Sequence, residues 1–244
     1  MIDFQVVHSR RKTIALQVKH GQVFVRAPYH VDQHFINSFI QKKEMWLRAK
    51  ISEQIQSAEL CCNFNHGAKL FLFGQPVTLN IVFSSVSKKS NVYLSNSNDD
   101  QPTLTIPFAT TAQNRFKTQL ELSLAVKKKI EGYFTAQAQA IILPKVEYYS
   151  QQTQLFPTKI KIRQYRARWG SCNSKGELSF NYLLMMLPIH VIDYVVIHEL
   201  CHLRHLNHST DFWQLVAAYC PNFKQAKAWV KTNQSALHWR QPTY

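Results

Sequence analysis

The stretch PIHVIDYVVIHELCHLRHLNH, residues 188–208, constrains this chain more than any other. It is an apolar run that carries four histidines and a glutamate in its last eleven residues. A proline suits the first turn of a helix, where its missing N–H would be unpaired anyway. The run therefore predicts a helix from about Pro188 to His205. On such a helix His198 and His202, four residues apart, share one face and lie one turn apart. Both imidazoles can then reach a single ion at about 2.1 Å. Glu199 lies about 100° round from His198, beside the pair and free to address a water. With 11 histidines in 244 residues, chance supplies this H-E-x-x-H spacing roughly 0.02 times per chain. Burying these groups among Val195, Val196 and Ile197 is unfavourable unless something satisfies them.

A third ligand is required. His205 is seven residues from His198, about 10 Å along a helix axis, so three collinear ligands do not converge on one ion. His208 can converge if the helix breaks after His205 and the chain folds back, which Leu206-Asn207 permits. Ser209 or Thr210 then caps a new helix from Asp211 to Tyr219, stopped by Pro221. Cys172 is the rival ligand. His198, His202 and His208 are the expected metal ligands and Glu199 the expected catalytic base. Three protein ligands leave a fourth position open, the mark of a catalytic rather than a structural zinc. Such an ion supplies Lewis acidity and a more acidic water. The spacing matches metzincins in part, but no glycine occurs in Leu203–Asn207 and no methionine follows Met186, so that reading fails.

The rest of the chain is read by periodicity. TIALQVKHGQVFVRAP alternates on both sides of His20-Gly21 and reads as a hairpin. A helical pattern follows from about Val31 to Ile55. KLFLFG, TLNIVF, NVYLS and TLTIPF read as short strands, with SNSNDDQP as an exposed loop. A long helical region from about Asn114 is expected to stop at Pro144, with KVEYYSQQTQ as another short helix. Ile160 and Ile162 alternate with basic residues, and Leu178 and Phe180 with Glu177 and Ser179. Asn173-Ser174-Lys175-Gly176 between them predicts a second hairpin just before the metal helix, whose edge from Glu177 to Leu184 would receive a peptide strand. A soft boundary is placed near residue 110: a strand-rich region 1–110, then a helix-dominated region 111–244.

Five cysteines with no C-x-x-C pair suggest free thiols in a reducing compartment. The opening MIDFQVVHSRRK has no apolar core, and no apolar run approaches membrane-spanning length, so a cytoplasmic setting without a membrane partner is expected. The net charge of +15 is spread through the chain and is compatible with nucleotide or nucleic-acid contact.

RWGSC at Arg168–Cys172, LSFNYLL at Leu178–Leu184, VIDYVVIHELCHL at Val191–Leu203 and NHSTDFW at Asn207–Trp213 together resemble the YgjP-like metallopeptidase family. RRKTIALQVKHGQVFVRAP near the start resembles that family's N-terminal part. The family is related to SprT-like and minigluzincin zincins. The resemblance implies an α+β fold, with a strand-rich N-terminal part followed by a zincin-like helical domain that has a β-hairpin ahead of the active-site helix. It also implies a zinc-dependent hydrolase that binds one Zn2+ per chain and acts on protein or peptide substrates. Arg168, Ser179 and Asn181 are candidate substrate contacts, Arg168 toward a carboxylate or phosphate.

Two other functions stay open. Some members of the family are described as nucleoside triphosphate pyrophosphatases, acting for example on UTP. Lys159, Lys161, Arg163, Arg166 and Arg168 ahead of the site suit phosphate chemistry, although no Gly-rich phosphate loop is present. A nucleic-acid-associated protease of SprT-like type is the other, with Trp229, His238, Trp239 and Arg240 as candidate stacking and charged groups.

Overall fold

The computed structural model describes residues 2–19, 21–60, 62–85, 91–96, 102–165, 168–233, 237 and 239, with only the backbone described for 53–60 and 96. His20, the middle of the SNSNDDQP loop, Arg166, His238 and Arg240 lie outside the described residues. The chain is mixed α and β, and its contacts divide it into two units, Met1–Cys61 and Cys62–Tyr244.

The first unit begins with β1 (Phe4–His8), β2 (Ala15–Lys19) and β3 (Gln22–Ala27). β2 and β3 form the expected hairpin, with Leu16 opposite Val25 and Val18 opposite Val23. β1 joins the other side of β3 in parallel. The helical pattern that followed resolves into α1 (Gln33–Lys42) and α2 (Glu44–Leu60), because Lys43 leaves the helical region at φ −105, ψ 8. Asp32 caps α1 by accepting from the Phe35 N–H. Val23 and Val25 pack with Ile36, Ile40 and Leu47 as this unit's core.

The second unit opens on β4 (Lys69–Leu72), β5 (Gln75–Ser84), β6 (Tyr93–Asn96) and β7 (Pro102–Ala109), ordered β4-β5-β7-β6 with β5 and β7 parallel. Where sequence periodicity suggested a boundary near residue 110, this sheet shares a core with the helices that follow. Leu79, Leu104 and Ile106 belong to one buried cluster with Ile130, Phe134 and Val196. α3 (Gln119–Thr153) buries Val126, Ile130, Phe134, Ala138, Ile142 and Val146 along one stripe. It runs straight through Pro144, where a stop was expected. Pro144 is exposed, and so is Ala140 one turn before it. The carbonyl left without an N–H partner therefore lies on the solvent side, where water can satisfy it.

Then come β8 (Lys159–Arg163), β9 (Gly170–Cys172) and β10 (Glu177–Asn181), in the order β8-β10-β9. The expected hairpin of 159–163 with 177–181 is corrected here. β8 and β10 pair in parallel, and the antiparallel partner of β10 across Asn173–Gly176 is the three-residue β9. β10 is consequently the central strand, so its edge is not open to a peptide. A short 3₁₀ turn, Tyr182–Met186, leads to α4 (Ile189–Cys201), followed by α5 (Thr210–Tyr219) and α6 (Phe223–Asn233). α4 ends four residues earlier than the apolar pattern suggested, with His202 as its C-cap. Its start is pinned by Gly74, where an added Cβ would lie 2.5 Å from Cγ of Pro188. No helix among the described residues is long and apolar enough to cross a membrane.

Candidate metal centre

α4 is buried on almost every side, and Val191, Ile192, Val196 and Leu200 fix its rotation in the core. That rotation sends His198 and His202 to one side. After Cys201 the chain turns through residues 202–209 and re-enters a helix at Ser209, whose side chain accepts from the Phe212 N–H. The turn brings His208 back to the pair. Ring nitrogens of His198, His202 and His208 all lie within 4.8 Å of one another. Nε2 of His198 and Nε2 of His208 are 3.1 Å apart. Two ligands at about 2.1 Å from one ion at a tetrahedral angle would be about 3.4 Å apart, so this spacing fits an ion.

The chemistry of the donors fits as well. Burial, reinforced by the neighbouring His202 and His208, pushes the His198 imidazole down to about 3, so it is neutral and has a lone pair to offer. His208 is also pushed down, first by burial. Nδ1 of His202 donates to the His205 carbonyl at 2.9 Å, which leaves Nε2 as its free nitrogen. His205 thus contributes its backbone, while its side chain stays outside the trio. Phe212 packs against all three imidazoles, with ring centroids 4.9, 4.5 and 4.8 Å away, and Trp213 stacks on His208. The NHSTDFW segment is therefore a cap and a rigid aromatic floor for the cluster.

Glu199 lies on the next face of α4, only 5% exposed. Its buried Oε2 has no hydrogen-bond partner among the described residues. Burial pushes its carboxyl up to about 8, with the Arg168 charge pulling the other way. β9 comes so close to Glu199 that a Cβ on Gly170 would lie 2.6 Å from both Cγ and Oε1. Only glycine fits there, which gives the RWGSC motif a physical role that sequence periodicity did not reveal.

These groups line a cavity of about 420 Å³. Arg168, Gly170, Ser171 and Cys172 form one wall, and His198, Glu199, His202 and His208 the other. Cys172 sits across from the histidines, its thiol pushed up by burial and by Glu199, and it is not part of the nitrogen cluster. Ser179 and Asn181, candidate substrate contacts by sequence, are not among the lining residues. Ser179 is buried in the sheet opposite Ser171. The Asn181 side chain is fully used: its Nδ2 donates to the Tyr165 and Arg168 carbonyls and its Oδ1 accepts from the Leu183 N–H. Asn181 belongs to the scaffold that shapes the loop before β9. Of the stacking candidates, Trp239 packs against Phe64, Phe134 and Tyr182, and Trp229 is part of the same core.

Among curated proteins there is no match to this chain. One solved structure, the crystal structure of the metallopeptidase zymogen of Pyrococcus abyssi abylysin, is similar over 38% of this chain and 93% of its own, at 20% identity and a TM-score of 0.35. The family model of the YgjP-like metallopeptidase domain matches residues 12–233, which covers every residue of the cluster and most of both units. The chain belongs to the YgjP-like metallopeptidase family.

Proposed function

We propose that His198, His202 and His208 hold one zinc ion and that Glu199 is the general base of a peptide hydrolysis. The observation that carries this reading is the convergence of three imidazoles beside a buried carboxylate whose Oε2 lacks a partner. When bound, the ion supplies Lewis acidity to the scissile carbonyl and lowers the pKa of water toward ~7. Glu199 takes a proton from the attacking water at Oε2 and delivers it to the leaving amine, so that water and peptide become an acid and an amine. Phe212 and Trp213 keep the imidazoles from reorienting.

The substrate is placed by the free edge of β9. Among the described residues that strand has a neighbour on one side only, and its residues line the cavity. An extended peptide can add there, with main-chain N–H and C=O groups exchanged along Gly170–Cys172. The missing side chain at Gly170 lets the backbone run against Glu199. Zinc-loaded wild type and Glu199→Gln, matched in metal content, are incubated with an unfolded protein and the products read by mass spectrometry. Fragments from wild type alone are expected. Equal fragmentation by both removes Glu199 from the chemistry, and no fragmentation by either removes the peptidase reading. A second reading, diphosphate release from a nucleoside triphosphate, is favoured by the exposed Arg168 at the cavity and is tested with the same pair.

A further inference from the structure

Peptide hydrolysis by the histidines and Glu199 leaves the guanidinium of Arg168, alone among the charged groups of the cavity, without a role. Its side chain is exposed and lines the same cavity as His198 and Glu199, and it makes no ion pair among the described residues. A base such as Glu199 has to stay available for protons, so a permanent Arg–Glu pair would work against it.

Its position is built. Asn181, only 3% exposed, holds the carbonyls of both Tyr165 and Arg168, at 3.1 and 3.2 Å. The Asn181 N–H donates to the Trp169 carbonyl at 2.9 Å, which fixes the next residue as well. Tyr165 is hydrogen-bonded through its hydroxyl to Ser171 on β9, and its ring lies 6.0 Å from the Arg168 guanidinium carbon. The buried amide on β10 and the tyrosine bonded to β9 thus anchor the backbone on either side of Arg168 beside the cavity.

The direction of that strand says what the arginine faces. β9 runs from Gly170 to Cys172, and Arg168 stands just before its start. A peptide paired antiparallel to the free edge, the commoner sense, has its C-terminal side at the Arg168 end. A guanidinium prefers a carboxylate, which it can bind through two parallel hydrogen bonds.

Resting on the peptidase reading above, we propose that Arg168 selects substrates that carry a carboxylate on the C-terminal side of the cut. The free carboxylate of a chain end and an aspartate or glutamate side chain share this chemistry. The test uses the zinc-loaded full-length protein and a short-peptide mixture in which each sequence occurs with a free and an amidated C terminus. Each also occurs with acidic residues and with their amide counterparts, and the cut positions are mapped by mass spectrometry. Wild type is expected to lose at least about tenfold in kcat/KM when the carboxylate is removed. Loss on amidation alone identifies a chain-end reader, and loss on Glu→Gln exchange in the peptide alone identifies a side-chain reader. Arg168→Gln, with zinc content matched, should lose the distinction between acidic and neutral peptides, read as the ratio of kcat/KM within each peptide pair, while Arg168→Lys keeps part of the preference. Equal cutting of acidic and neutral peptides by wild type overturns the proposal, as does a uniform loss across all peptides in both variants, which marks a merely structural arginine. No cutting of any peptide by the zinc-bound wild type instead overturns the peptidase reading on which the proposal stands.

Discussion

Two hairpins of this chain were built for different ends. β2 and β3 alternate apolar and polar residues, pair where that alternation says, and bury Val23 and Val25 against α1 and α2. Among the described residues of the first unit, no charged side chain is buried. β9 and β10 differ in every respect. β9 has three residues, Gly-Ser-Cys, with no alternation, and all three are half-buried. It is held by β10 along one edge, and its face is pressed against Glu199. A strand that serves burial shows itself in its pattern, whereas a strand that serves a reactive group is shaped by that group. The contrast makes measurable claims about the second hairpin that do not apply to the first.

The largest concerns pH. In the metal-free protein Glu199 sits near 8 against an ordinary 4.5, because burial disfavours its charged form. Between those values the folded protein holds a proton that the unfolded chain has released, so the contribution of Glu199 to stability falls as pH rises from about 5 to 8 and then levels, while the depressed His198 works the opposite way up to its ordinary 6.5. At roughly 1.4 kcal/mol per unit the Glu199 loss is at most about 5 kcal/mol. Urea unfolding of the chelated protein at pH 5 and pH 8 should show it as a loss in wild type beyond that in Glu199→Gln. A loss that persists in Glu199→Gln would place the titrating group elsewhere and undo the contrast between the two hairpins.

The next effect tests the close approach. Gly170→Ala forces a Cβ to within 2.6 Å of Glu199, which must shift together with β9. Catalytic groups displaced by about 1 Å commonly lose about 100-fold in rate. Peptide cleavage by Gly170→Ala should therefore fall about 100-fold while zinc content, measured on the same sample, stays near wild type. Unchanged cleavage would mean that β9 does not set the position of Glu199.

This is also where sequence reasoning ran out. The convergence of His198, His202 and His208 was readable, because helical spacing fixes the first two and rules out His205 as the third. The strands of the β4–β7 sheet were readable one by one, but the parallel pairing of β5 with β7 was not, since alternation carries no information about neighbours. β8 and β10 alternate convincingly, and this suggested that they pair as a hairpin. β9 carries no pattern because its residues answer to Glu199, a contact with a helix roughly thirty residues further on. Pro144 misled in the opposite way. Its local meaning is a stop, and only its exposed position on α3 allows the helix to continue.

The smallest effect sits at the turn of the first hairpin and completes the contrast. Gly21 has φ +76, and none of the described residues beyond its chain neighbours lies within 4 Å of where its Cβ would be. Gly21→Ala therefore suffers mainly from the left-handed backbone, a penalty of about 1 kcal/mol. The turn precedes β3 and lies in the first unit, whereas every cavity-lining residue lies in the second. Thermal unfolding should register a small drop in the stability of that unit, and peptide cleavage should be unchanged. One glycine is therefore required by its own torsion angle and the other by the carboxylate in front of it. Only the second should appear in the rate, and a matching loss of activity in Gly21→Ala would show that the two hairpins are coupled.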